Sequence, residues 1–155
     1  MKINIEELKA YIDAQSAETK IYFGADSERV MVNGKWMVDY LLVVVVHIDG
    51  KHGAKVFGEI QREFDYDKKL DRPKLRLMTE VAKIAEVYCN VAEVVDLESR
   101  HVELHLDINA LPVHGSNCAM AEAIGYIKGV CGIDPKVKPN SWAASIAADR
   151  LKTIK

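Results

Sequence analysis

The chain has 155 residues and 17.3 kDa, of which 49% are hydrophobic and 28% charged. That composition excludes a wholly disordered chain, and a domain of this length can bury about 70% of its unfolded surface without disulfides. The formal charge of −2, from 21 basic and 23 acidic residues, excludes a binder whose affinity comes from bulk positive charge.

Ile5, Leu8 and Ile12, with Tyr11, recur at helical spacing, so residues 5–15 read as a short amphipathic helix. Residues 21–25 (IYFGA) read as a compact strand ending at Asp26, followed by a turn whose strongest hairpin signal is Asn33-Gly34. Residues 36–48 form a β-branched second strand, Asp49-Gly50 and Gly53 mark the next hairpin, and residues 54–64 alternate as a third strand. From about 73 to 92 the period changes: Leu77, Val81, Ile84, Val87, Tyr88 and Val91 repeat at three and four, with Pro73 suited to a first helical turn. Residues 101–108 alternate strictly as strand four. Gly115-Ser116-Asn117 opens a helix running to about Gly129 and stopped by Gly132. Residues 135–139 give a short fifth strand, and Asn140 or Ser141 caps a last, alanine-rich helix.

With no internal repeat or linker, residues 1–155 are expected to form a single domain, residues 1–17 adding an extra N-terminal helix. Two hairpins make a three-strand antiparallel meander, and the later strands alternate with helices and add as parallel crossovers. The expected fold is α/β, a five-stranded mixed sheet with helices on both faces, and this element order is that of ribonuclease H.

Three cysteines, Cys89, Cys118 and Cys131, without a C-x-x-C pair fit neither a disulfide framework nor a structural zinc site. Reduced thiols are the plain reading. The acidic, amphipathic N-terminus is unlike a signal peptide. The longest apolar run, Tyr40 to Val46, is far short of the roughly 20 residues that span a bilayer. A cytoplasmic protein with no membrane partner is expected.

Four acids matter under this layout. Asp26 ends the central strand, Asp107 ends the strand expected beside it, Glu80 lies in the helix after the meander, and Asp149 lies in the last helix. In open α/β sheets, sites form where strand order changes direction. Clustered carboxylates repel unless hard cations offset them, and two divalent ions about 4 Å apart activate water and stabilise the leaving oxygen in phosphodiester hydrolysis. Taken singly, each acid has an ordinary reading. Asp26 can initiate a turn, Glu80 can be one of several glutamates on a solvated helix, Asp107 can cap a loop, and Asp149 beside Arg150 can be an exposed ion pair. On strand four, His101, Glu103, His105 and Asp107 share one face, and His105 is the one best placed to support the ligand Asp107.

Other constellations fare worse. His114 and Cys118 lack a third orienting group, and Asp65, Asp67 and Asp71 lack the spacing of a calcium loop. Phosphate-loop and dinucleotide fingerprints are absent.

Gly24-Ala25-Asp26-Ser27-Glu28, His105-Leu106-Asp107-Ile108, Pro135-Lys136-Val137-Lys138-Pro139, Trp142-Ala143-Ala144-Ser145 and Ala148-Asp149-Arg150 together resemble, in order, the motifs of the YkuK-like family of ribonuclease H-related predicted nucleases, over about residues 20–151. The resemblance implies a divalent-metal nuclease and maps catalytic roles onto Asp26, Glu80 and Asp107; Ser27, His105 and Asn140 are expected to stand behind the ligands. Ala25 stands where relatives often carry Thr. Asn140 lies where some carry Asp, and Asp149 where some carry Asn. Only one can serve the site, and Asp149 is preferred because a carboxylate is the stronger ion ligand.

The expected activity is therefore Mg²⁺- or Mn²⁺-dependent hydrolysis of nucleic-acid phosphodiesters with two ions, the substrate being RNA in RNA–DNA hybrids or structured DNA. Arg29, Lys136, Lys138 and Arg150 are expected to hold phosphates, and Trp142 to be core or a base-stacking surface. The alternative is a non-catalytic module of the same fold that binds nucleic acid or a protein. A resolvase-like homodimer is a third reading. The first two separate on whether Asp26, Glu80 and Asp107 approach within about 6 Å of a shared metal position. Residues 134–155 carry a net +3 and the remainder −5, so the near-neutral total argues only against tight, non-specific, salt-driven binding.

Overall fold

A computed structural model of the chain describes residues 2–66, 74–95, 100–109 and 119–143, together with Ser145 and Asp149. His114, Cys118, Asp67, Asp71, Pro73, the 115–117 helix opening and Arg150 lie outside the described residues.

The chain begins with α1 (Ile5–Asp13), whose first turn is capped by Asn4, the side chain accepting from the Glu7 N–H at 3.1 Å. Leu8 and Ile12, one turn apart, are its buried stripe. Then come β1 (Lys20–Val32), β2 (Lys35–His47), a 3₁₀ turn at Ile48–Gly50 and β3 (Ala54–Phe64). After these, α2 (Lys74–Val95), β4 (His101–Asn109), α3 (Met120–Cys131) and β5 (Lys136–Lys138) alternate. Trp142, Ala143, Ser145 and Asp149 are helical.

The five strands form one sheet in the order β3-β2-β1-β4-β5, antiparallel across β1, β2 and β3 and parallel from β1 to β4 to β5. This is the mixed α/β sheet of a ribonuclease H-like fold. Alternation assigns the two faces. Ile21, Phe23, Ala25, Leu42, Val44, Leu104, Leu106 and Ile108 join the main core with Leu77, Val81, Ile84 and Val91 of α2. On the opposite face, Tyr22 and Val45 pack on Ala143 of the last helix. Helices therefore cover both faces.

The first strand corrects the sequence reading. It does not stop at Asp26 but continues to Val32. Asn33 (φ 50°) and Gly34 (φ 77°) form the two-residue connection that left-handed conformations allow. That turn places every residue from Lys20 to Val32 opposite one from Lys35 to His47, so backbone pairing carries the strand through the polar run Asp26-Ser27-Glu28-Arg29. Parallel pairing with β4 is shorter and ends at Gly24 opposite His105. β1 therefore leaves β4 just before Asp26 and goes on as the arm of a hairpin.

Three smaller corrections concern the C-terminal half. α3 ends at Cys131, two residues past the expected Gly129, while Gly132 stops it as expected by taking a left-handed conformation (φ 72°). Trp142 is 40% exposed, not core. Among the described residues, neither Ser141, whose buried Oγ makes no hydrogen bond, nor Asn140, which is exposed, is seen to cap the last helix. Its Ala143 N–H is instead taken by His105 Nδ1 of β4 at 2.9 Å.

Candidate metal centre

Asp26, Glu80 and Asp107 each present a carboxylate oxygen, and these lie within 4.8 Å of one another. Asp26 comes from β1 and Asp107 from β4, each two residues past the last matched pair, Gly24 and His105. Beyond that pair the strands part, and the gap between them receives the carboxylates. Glu80 comes from α2, which packs across the sheet. Glu80 is only 4% exposed, so its reading as a solvated helix residue does not survive.

Ser27 joins strand to helix. Its N–H donates to Asp26 Oδ1 at 2.8 Å and its hydroxyl donates to Glu80 Oε2 at 2.6 Å. Arg76, one turn before Glu80 on α2, donates to Ser27 Oγ at 3.0 Å. Lys138 of β5 forms an ion pair with Asp107 Oδ1 at 2.6 Å.

The electrostatics follow from this crowding. Burial, opposed by the Ser27 hydrogen bond and reinforced by the charges of Asp107 and Asp26, holds the Glu80 carboxyl well above its ordinary range. Burial also acts to raise Asp107, but the hydrogen bond from Asp26 and the Lys138 ammonium outweigh it and leave Asp107 below the usual carboxylate value. The Asp107 hydrogen bond in turn raises Lys138. A proton and an ammonium thus balance part of the negative charge. The donors are hard carboxylate oxygens, and a lysine cation already rests on one of them, so the set suits a hard divalent cation.

Asp149 is exposed and is not part of the converged group. His105 is fully buried behind Asp107. Because Nδ1 accepts from Ala143, Nε2 carries the proton and donates to Glu103 Oε1 at 2.9 Å. Its ring packs edge-on against Trp142, with centroids 5.2 Å apart. Lys136 is exposed. Arg29 lies further along β1, paired with Asp65 and stacked 4.2 Å over Trp36.

Two contacts escaped the sequence reading. Arg76 was not singled out, although its i, i+4 spacing from Glu80 put both on one helix face. Lys138 was expected to hold a phosphate, and its partner in the structure is Asp107.

The ribonuclease H-like family model matches residues 4–153. No match was found among curated proteins or among solved structures. Among the described residues, no helix is long and apolar enough to cross a membrane.

Proposed function

The chain belongs to the ribonuclease H-like family, and from that premise we propose that it is a divalent-metal-dependent nuclease that hydrolyses nucleic-acid phosphodiesters. The observation that carries this reading is the approach of the Asp26, Glu80 and Asp107 oxygens to within 4.8 Å. Asp26, Glu80 and Asp107 would hold Mg²⁺ or Mn²⁺, and Asp149, exposed and outside the group, is the fourth candidate ligand. Bound divalent ions would supply an activated water and neutralise charge on the leaving oxygen, the two-metal chemistry of phosphodiester cleavage.

The chain's own residues have distinct tasks in this reading. Ser27 fixes the orientation of both Asp26 and Glu80, by its N–H and its hydroxyl. Arg76 holds the Ser27 hydroxyl and places a guanidinium charge beside the carboxylates, where a phosphate would arrive. Lys138 leaves Asp107 when a cation binds, and its ammonium becomes available to a phosphate oxygen. Lys136, exposed on the same strand, extends that cationic edge, and Arg150 is a further candidate. RNA–DNA hybrids and structured DNA are the proposed substrates.

The Lys138–Asp107 ion pair also favours a second reading. A lysine that permanently supplies the cluster's counter-charge would suit a non-catalytic nucleic-acid-binding module. Incubation with labelled hybrids, duplexes, single strands and junctions in Mn²⁺, against an EDTA control, separates the two. Metal-dependent cleavage of any of them supports the nuclease. Binding without cleavage of any of them supports the module.

A further inference from the structure

The three cysteines are scattered along the sequence, and the fold brings two of them together. Cys89 lies on α2 and is exposed, while Cys131 is the last residue of α3 and is buried. α3 packs along α2. The Cys89 thiol donates to the Val130 carbonyl at 3.9 Å, and the Cys131 thiol hydrogen-bonds with that of Cys89. Two sulfurs already in contact need a movement of about 2 Å to bond. Cys131 sits where Gly132 ends α3, and a helix end yields more readily than a helix interior.

A third group points to the same place. The Tyr88 hydroxyl is buried and has no hydrogen-bond partner among the described residues. Burial first, then the charges of Cys131 and Cys89, push it up to about 12. A buried donor left unpaired costs stability, and an oxygen carried by either sulfur would supply its acceptor. The exposures set the order of events. Cys89 meets solvent, and so meets an oxidant first. Burial, reinforced by Cys89, pushes the Cys131 thiol up to about 12, so Cys131 stays protonated and is not the first target. Its contact with Cys89 supplies the proximity that compensates for a poor thiolate.

We infer that Cys89 and Cys131 form a reversible disulfide when the protein meets a hydroperoxide. In the first step the Cys89 sulfur attacks the peroxide O–O bond. Cys89 gains one oxygen as a sulfenic acid, and the peroxide leaves as water or an alcohol. In the second step the Cys131 sulfur attacks the Cys89 sulfur. The S–O bond breaks, and the oxygen leaves as water with the Cys131 proton. The two thiols together lose two electrons, and one hydroperoxide is reduced. A dithiol reverses the bond by exchange. The disulfide ties the helix that carries Arg76 and Glu80 to the helix that leads into β5 and Lys138. It therefore braces the scaffold of the metal centre, whether the chain cuts nucleic acid or only binds it.

The test treats the reduced wild type with hydrogen peroxide, blocks the remaining thiols with N-ethylmaleimide and maps peptides without reduction. The map is expected to join Cys89 to Cys131 within one chain, with Cys118 alkylated, and dithiothreitol should return all three thiols. The oxidised protein should melt about 5–10 °C above the reduced one. Cys118→Ser should behave as the wild type. Cys131→Ser should lose both the cross-link and the melting shift, and should accumulate a Cys89 sulfenic acid that dimedone traps. The map is read on the wild type, so it decides the matter even where a variant does not fold. No cross-link, a cross-link through Cys118, one between two chains, or one that forms only in denaturant would overturn the inference. So would an unchanged melting temperature of the cross-linked protein.

Discussion

Asp26 and Asp107 stand at the same offset on adjacent parallel strands, each two residues past Gly24 and His105, the last matched pair. The register delivers two carboxylates to one point, and α2 adds Glu80 from above. Like charges so close are tolerated because a proton, an ammonium or a metal ion is shared among them.

Glu80 carries the clearest pH signature. Its folded-state pKa is raised, first by burial and then by the charges of Asp107 and Asp26. The stability it gives is therefore full below the unfolded glutamate value of about 4.3 and is lost as pH rises through the folded value. Glu80→Gln keeps an acceptor for Ser27 without the charge. In EDTA its melting temperature should exceed the wild type's at pH 8, by about 2–4 °C for each kcal/mol relieved, and converge with it near pH 4. Mn²⁺ should reverse the order, because only the wild type gains from binding the ion. Identical melting at all pH values in EDTA would contradict this electrostatic account.

Lys138 competes with a metal ion for Asp107. The pair is partly exposed, with side-chain exposures of 43% and 21%, so it contributes about 0.5–1 kcal/mol. Lys138→Gln should tighten Mn²⁺ binding about two- to fivefold, as measured by calorimetry. Weaker or absent Mn²⁺ binding in the variant would favour the module reading, in which the lysine is a fixed counter-ion.

His105 ties the last helix to the sheet. Its ring accepts from the Ala143 N–H and donates to Glu103, and no solvent reaches it. His105→Ala removes both bonds and should lower unfolding free energy in urea by about 1–3 kcal/mol, with Trp142 fluorescence reporting the loosened helix. A change below about 0.5 kcal/mol, the usual size for an exposed substitution, would contradict the clasp.

Much of this was legible in residue patterns. Asn33-Gly34 announced the hairpin, and the heptad-like spacing from Leu77 to Val91 announced α2. The alternation of His101 to Ile108 gave a strand with one polar face. What resisted reading was set by partners distant in sequence. The run Asp26-Ser27-Glu28-Arg29 has the composition of a turn, and only pairing with Asp39 to Leu41 and their neighbours holds it extended. The cap on Ala143 comes from a histidine 38 residues away in the chain, which no local capping rule reveals. The ion pair between Lys138 and Asp107 depends on β5 joining β4 in parallel.

Asp26 receives the Ser27 N–H and shares a hydrogen bond with Asp107, so Asp26→Asn preserves shape while removing one ligand charge. The decisive measurement is the Mn²⁺-dependent rate of product release from a labelled nucleic acid by the wild type and by Asp26→Asn, purified identically. The account predicts cleavage by the wild type, suppressed by EDTA, and a loss of at least about a hundredfold in the variant, the scale on which removal of an electrostatic catalytic group is felt. Equal rates in the two proteins, or cleavage that persists in EDTA, would contradict it.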